Sequence, residues 1–202
     1  MEENKIEESN NKGARKYISV AWEFLKIIIV AAIIVLPIRY FLFQPFIVKG
    51  ESMVPNFQSG DYLIVDEISY RFSNPERGDV VVLKYPLDPR QRFIKRIIAL
   101  PGETVQVSNG KIIISKDGKN VVLDEEKYLP NLKGTQGNIS VSLGNNEYFV
   151  LGDNRDFSYD SRRWITMSGQ PKPILPREDI IGRAIFRVFP ISTMSYIKDP
   201  SY

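Results

Sequence analysis

Three short stretches of this chain set a reactive side chain beside residues that bend or bury the backbone. The first is Gly50-Glu51-Ser52-Met53-Val54-Pro55. Glycine permits a tight approach of backbone to a ligand, and Pro55 ends regular pairing. A serine in such a turn can present its hydroxyl and its amide N–H to one carbonyl. The second is Phe93-Ile94-Lys95-Arg96-Ile97-Ile98. Alternation puts Phe93, Lys95 and Ile97 on one side, and a lysine on an apolar face is desolvated, which lowers its pKa from about 10.4 toward neutrality. A lysine general base needs that shift. The third is Gly152-Asp-Asn-Arg-Asp-Phe-Ser-Tyr-Asp-Ser-Arg162, a polar loop following a hydrophobic strand. It supplies hydroxyl and carboxylate partners for a buried lysine and arginine. Taken singly, each stretch has an ordinary explanation: a serine turn, an edge lysine that discourages aggregation, and a solvated loop rich in Asx and Ser motifs.

The chain of 202 residues contains no histidine and no cysteine. That excludes a Ser-His-Asp triad, a Cys-His dyad, disulfides, and zinc held by His or Cys. Hydrolytic chemistry must then rest on Ser, Thr, Lys, Tyr or carboxylates. A net charge of +3 with interspersed signs gives no basic stripe for nucleic acid.

The elements that must position these residues follow from periodicity. Residues 1–17 are polar and charged and read as a cytoplasmic tail. Residues 18–43 read as a transmembrane anchor. The strictly apolar run Ile27 to Ile38 is shorter than the roughly 20 residues a bilayer needs, and counting from Ile18 supplies the length at the expense of Glu23 and Lys26. Those two pair at i,i+3 while Trp22 and Tyr40 sit at interfacial depths. No small-x-small cleavage site follows the run, which argues against a removed leader. Lys12, Arg15, Lys16 and Lys26 precede the centre, and Arg39 and Lys49 follow it, a mild bias toward a cytoplasmic N-terminus.

From residue 44 to 202 the pattern becomes β. Strands are expected at Tyr62–Val65, Val80–Tyr85, Phe93–Ile98, Thr104–Val107, Lys111–Ser115, Asn120–Leu123, Glu147–Leu151 and Ile180–Phe189. Asn109-Gly110 and Asp117-Gly118 mark hairpins, since these residues tolerate positive φ. In the last strand, Ala184, Phe186 and Val188 are expected to face one way, Arg183 and Arg187 the other. The fold class expected is mainly β. It comprises an antiparallel catalytic core, a small β subdomain inserted at about Glu103 to Asn146, and one N-terminal transmembrane helix.

Other motifs are turn chemistry or chance. Ser-x-x-Lys occurs at Ser9/Lys12 and Ser195/Lys198 without a Lys-Thr-Gly partner. Arg77-Gly78-Asp79 is an adhesion-type tripeptide in a turn, and a tethered binding module exposing it is a non-catalytic alternative.

In their order, the three stretches resemble bacterial type I signal peptidases, serine proteases with a Ser/Lys dyad. The serine box is Ser52-Met-Val-Pro-Asn-Phe57, and a second box is Gly60-Asp-Tyr-Leu-Ile-Val65. The lysine box is Lys95-Arg-Ile-Ile-Ala-Leu-Pro-Gly-Glu103, and the last is Gly152 to Arg162. The match spans about 115 residues behind an anchor. Asn56-Phe57 stands where members usually carry Thr-Leu, Ala99 where they carry Gly, and Glu103 where they carry Asp. Gly50 occupies a position where some members have an oxyanion-binding serine, so backbone amides would carry that role.

The resemblance implies a membrane-bound endopeptidase that removes signal peptides from exported preproteins. Ser52 would be the nucleophile and Lys95 the base. Ser158 would hydrogen-bond Lys95, Asp153 would pair with Arg96, and Asp160 and Arg162 would brace the loop. Small residues before the cut would enter shallow pockets lined by Phe46, Val48, Met53, Phe57, Phe93 and Ile94. No metal, cofactor or nucleic acid is implied. The partners are preprotein signal peptides and the lipid bilayer, with a single-pass protein in the plasma membrane and its catalytic domain on the extracytoplasmic side. A self-cleaving repressor-type protease shares the dyad but needs an N-terminal DNA-binding domain in place of the apolar segment.

Overall fold

The computed structural model describes residues 22–33, 35, 43–130, 133–198 and 200. The chain divides into two units, residues 1–42 and 43–202. In the first, residues 22–33 are helical. Trp22, Phe24, Ile27, Ile28 and Ile33 are exposed there, and Lys26 donates to Glu23 at 2.9 Å. Among the described residues no helix is long and apolar enough to cross a membrane. The rest of the expected anchor, at 18–21, 34 and 36–42, and the tail at 1–17 lie outside the described residues.

The second unit is mainly antiparallel β. Its larger sheet contains β1 (Phe43–Ile47), β2 (Tyr62–Asp66), β3 (Val80–Tyr85), β4 (Asp88–Ala99), β9 (Glu147–Leu151), β10 (Leu175–Pro176) and β11 (Ile180–Phe189). They are ordered β1-β2-β11-β3-β4-β9-β10, with β12 (Ser195–Tyr196) on β11. A second sheet, ordered β7-β6-β5-β8, is built from β5 (Thr104–Ser108), β6 (Lys111–Lys116), β7 (Lys119–Val122) and β8 (Ile139–Ser142).

Local chemistry explains most of these elements. In β5 and β6 the buried residues alternate, Val105 and Val107 against Ile112 and Ile114, as one covered face requires. Asn109 and Gly110, then Asp117 and Gly118, hold positive φ at the two hairpin tips. That pairing matches the right-handed twist of the flanking strands. The Val-Val-Val-Leu run of β3 is buried throughout, because β3 lies inside the sheet between β11 and β4.

Two strand expectations need correction. β4 begins at Asp88, well before Phe93, because the β3 ladder continues to Lys84↔Arg92 and Tyr85↔Asp88. Its polar first half is exposed except for half-buried Asp88, while Ile94 to Ala99 are buried. In β11, strict alternation fails. Ala184 pairs with Val65 and Arg187 with Leu63, with a register shift between Ala184 and Phe186. Directly paired residues share a face, so the bulge puts Arg187 on the side of Ala184 and Phe186 on the side of Arg183.

Three apolar clusters fill the unit. One joins the second sheet to the ends of β4 and β9 through Ile98, Phe149 and Leu151. Another gathers Val81, Leu83, Tyr85, Ile97, Tyr148 and Trp164, with Phe93 packed against it. The third holds Val48, Met53, Phe57, Leu63, Val80 and Ile94, with Phe46 alongside.

Candidate active site

The chain leaves β1, passes Gly50 at φ 85°, and enters a turn carrying Ser52. A side chain is strained at that φ, which accounts for glycine here. Val54 N donates to Glu51 O at 3.2 Å and Phe57 N to Met53 O at 2.9 Å. Met53 and Phe57 drop into the third cluster and fasten the turn to the core, leaving Ser52 half-buried.

Lys95 comes from the interior half of β4, opposite Val81, and is 3% exposed. Its Nζ lies 2.7 Å from Ser52 Oγ and donates to Ile94 O at 2.8 Å. The Phe93 ring centroid is 5.3 Å from Nζ. Burial lowers the Lys95 pKa to about 8, opposed by the charges of Asp160 and Asp153. A hydroxyl in contact with an amine whose pKa is lowered to about 8 is an arrangement in which the amine can take the hydroxyl proton.

Arg96, on the opposite face of the strand, points away from the serine turn's hydroxyl and into a buried bidentate pair. Its Nε and NH2 meet the two carboxylate oxygens of Asp153 at 2.8 and 2.6 Å, and NH1 donates to Gly78 O at 2.8 Å. Burial works against ionisation of Asp153, but Arg96, with Arg155 and the Asn56 amide, holds the carboxyl below the usual carboxylate range. Asp160 accepts from Gly152 N at 3.1 Å and from Arg162 Nε and NH2 at 2.9 and 2.8 Å. Arg162 also reaches Arg155 O at 2.7 Å and Gln136 O at 2.8 Å.

Two expected contacts differ. Ser158 is fully buried, yet its Oγ meets no hydrogen-bond partner. The bond expected to Lys95 is absent because the amine is turned toward Ser52 and Ile94 O. Of the six residues expected to line substrate pockets, Val48, Met53, Phe57 and Ile94 are at most 3% exposed and form core. They are consumed by fastening the serine turn to β4. Phe46 and Phe93 remain half-buried, and Phe93 belongs to a different cluster from the other five.

Several positioning residues escaped the sequence. Asn154 N donates to Ser52 O at 3.0 Å and its Nδ2 to Glu51 O at 3.1 Å, clamping the turn. Asn56 Nδ2 reaches Asp153 Oδ2 at 2.8 Å and Tyr128 O at 3.1 Å. Buried Arg155 donates to Gly152 O at 2.6 Å, Thr135 Oγ1 at 3.0 Å and Tyr128 OH at 2.9 Å, and pairs with Glu125. Apart from Gly152, three residues before Arg155, their partners lie 20 to 103 residues away, so no local pattern marks them. The Arg77-Gly78-Asp79 tripeptide is absorbed into the fold. Asp79 is 1% exposed and accepts from Tyr70 OH, and Arg77 holds Glu103 and Ile98 O. An exposed adhesion loop is thereby ruled out. Among the described residues no group of His, Cys, Asp or Glu is arranged to hold a metal.

A buried amine on a hydroxyl, framed by antiparallel sheets, defines a peptidase-like site, and comparison with known proteins places it further. The family model for signal peptidase, peptidase S26, matches residues 21–189. A probable signal peptidase I of Synechocystis is 38% identical over 183 residues, 85% of this chain and 86% of that one. A signal peptidase I of Leptolyngbya laminosa is 36% identical, covering 88% of this chain and 84% of its own. A Bacillus amyloliquefaciens signal peptidase I is 33% identical, covering 94% and 96%.

The chain belongs to the signal peptidase family, peptidase S26. It is a serine peptidase of the hydrolase class, and removal of signal peptides is the activity this membership carries.

Proposed function

We propose that the chain is a membrane-bound endopeptidase cutting signal peptides from exported preproteins, with Ser52 as nucleophile and neutral Lys95 as general base. The observation that carries this reading is the 2.7 Å approach of a 3%-exposed Lys95 amine to Ser52 Oγ. In the neutral amine the Nζ lone pair takes the hydroxyl proton as Oγ attacks the scissile carbonyl. The oxyanion forms beside the Ser52 backbone N–H, an interaction worth about 2.7–4 kcal/mol per donor in hydrolases. With Gly50 two residues before the nucleophile, no side-chain hydroxyl from that position contributes. Protonated Lys95 then delivers its proton to the leaving amine, and the freed amine activates water for deacylation.

The substrate adds as an extended segment along β4. In the described residues β9 pairs with β4 only from Arg96 onward, so Asp88 to Lys95 are hydrogen-bonded on the β3 side alone. That open edge ends at the base, where β-strand addition delivers a scissile bond to Ser52. Phe46 and Phe93 bound the space for small residues before the cut. Asp153 with Arg96, and Asp160 with Arg162, keep the third stretch in register with β4. Residues 18–43 tether the enzyme to the plasma membrane in a single pass, with the N-terminus cytoplasmic and the catalytic unit extracytoplasmic, which raises the local concentration of membrane-bound preproteins. No metal or cofactor enters the mechanism.

The test is Ser52→Ala and Lys95→Ala, each assayed on a preprotein in detergent. Both are expected to abolish processing while the unfolding transition persists. Processing retained by either variant refutes the dyad.

A further inference from the structure

On β4, Phe93 and Lys95 share the face that carries Leu83 and Val81 of β3, their direct partners. An aromatic series begins there. The Tyr85 ring stacks on Phe93 with centroids 5.1 Å apart, and Tyr159 packs edge-on against Tyr85 at 5.8 Å. Tyr85 is itself buried against Trp164. Because Tyr85 pairs with Asp88, the series runs from the level of the base toward the start of β4, the half that β9 leaves unpaired.

Tyr159 is held in place. Its hydroxyl and that of Tyr85 share a hydrogen bond of 3.0 Å. Ser158 and Asp160 on either side of it are fully buried, which pins the backbone. Burial lowers the Lys95 pKa and the Asp160 charge opposes it, so this part of the third stretch adjoins the base. Yet the Tyr159 residue is 44% exposed. A lone exposed aromatic needs no explanation, but a ring fixed at its tip and at its backbone presents a rigid apolar surface that loses little entropy on contact.

A strand added to the open edge of β4 sends alternate side chains to the Phe93 face, about 6.4–6.8 Å apart. Phe93 bounds the space nearest the cut. The next side chain on that face, further from the cut, lies toward Tyr85 and Tyr159. We infer that Tyr159 is a specificity-determining residue: given strand addition along β4 and attack by Ser52, its ring takes a large apolar substrate side chain on the Phe93 face, further from the cut than the small residues.

The full chain in nonionic detergent is assayed on one preprotein carrying Phe or Ala at each position from the second to the sixth before the cut, and the Phe/Ala ratio of kcat/KM is taken at each. The parent is expected to favour Phe at positions of one parity. Tyr159→Ala should lower that ratio about three- to tenfold, the size of one aromatic contact, whereas Tyr159→Phe should keep it because the ring remains. A purely structural Tyr159 would slow every substrate by a common factor and leave the ratios as in the parent, which overturns the role. So does a parent without any preference, a ratio lowered equally at adjacent positions, or a Phe variant that loses the ratio as the Ala variant does. Ser52→Ala run alongside separates this role from the cleavage chemistry. Processing that stops in Ser52→Ala while Tyr159→Ala keeps the parental ratios sinks the role of Tyr159 alone.

Discussion

The backbone of Gly152 lies against the carbonyl oxygen of Ser52, in the space that a side chain would need. A Cβ built on Gly152 collides with Ser52 O and with Ser158 Oγ. The end of β9 and the Ser52 turn are thus packed backbone to backbone, and the third stretch is seated by that contact.

Gly152→Ala should therefore push the serine turn off β9. Overpacking of this kind costs about 1–3 kcal/mol. Chemical denaturation should show a loss in that range. Cleavage should fall further than stability does, because Ser52 itself is displaced. A variant with parental stability and parental kcat would contradict the contact.

The proposed Lys95 base sets an expected pH dependence of cleavage. Its amine titrates at about 8, below the 10.5 of a free lysine, because burial penalises the charged form. kcat/KM should rise through pH 8 and drop about tenfold per pH unit well below it, as the neutral fraction of a single base requires. A flat profile from pH 5 to 9 would exclude a neutral lysine base.

The same shift makes a stability prediction of definite sign. Between about pH 8 and 10.5 the unfolded chain binds a proton at Lys95 that the folded chain has lost. Stability contributed by this residue must then increase with pH across that window. Below pH 8 both states are protonated, and the full cost of burying the ammonium is felt. Lys95→Met should be more stable than the parent at pH 7, with the advantage shrinking toward pH 10.5. Denaturant midpoints of the two proteins across this range measure it.

Asp153→Ala should be far more damaging than the loss of one surface ion pair. It leaves the 4%-exposed Arg96 guanidinium without its carboxylate, and breaking a buried pair in this way costs about 3–5 kcal/mol. Arg96→Met placed on top of Asp153→Ala should recover part of that loss, because no unpaired charge stays buried. A double variant no more stable than Asp153→Ala would argue against the buried charge as the source of the cost.

Asn154→Ala separates positioning from stability. The side-chain bond to Glu51 O is exposed, and a hydrogen bond of this type contributes about 0.5–1.5 kcal/mol. The thermal midpoint should move little. kcat should fall with KM nearly unchanged, since the clamp acts on the Ser52 turn rather than on substrate. An unchanged kcat would show that the Asn154 backbone bond to Ser52 O is sufficient.

Much of this protein is dictated by short-range chemistry and is visible in the chain itself. Asn109-Gly110 and Asp117-Gly118 prescribe hairpins because few other residues accept positive φ. Period-two runs such as Val105/Val107 and Ile112/Ile114 prescribe which face is covered. The absence of histidine and cysteine narrows hydrolytic chemistry before any coordinate is known. Ser52 and Lys95 stand out because a serine beside glycine and proline, and a lysine within an isoleucine run, are each locally unusual. What the tertiary structure alone decided depends on partners far apart in the chain. The bulge after Ala184 turns Arg187 to the other face, and no alternation pattern announces one extra residue. Packing buries Met53, Val48, Phe57 and Ile94 beneath the serine turn, although their types suit an open pocket equally well. Asn56, Asn154 and Arg155 became clamps only when distant carbonyls and carboxylates were folded against them. Hydrophobic period and turn propensity are properties of a few neighbouring residues, whereas register shifts, buried pairs and backbone-to-backbone contacts are settled only by the closing of the whole core.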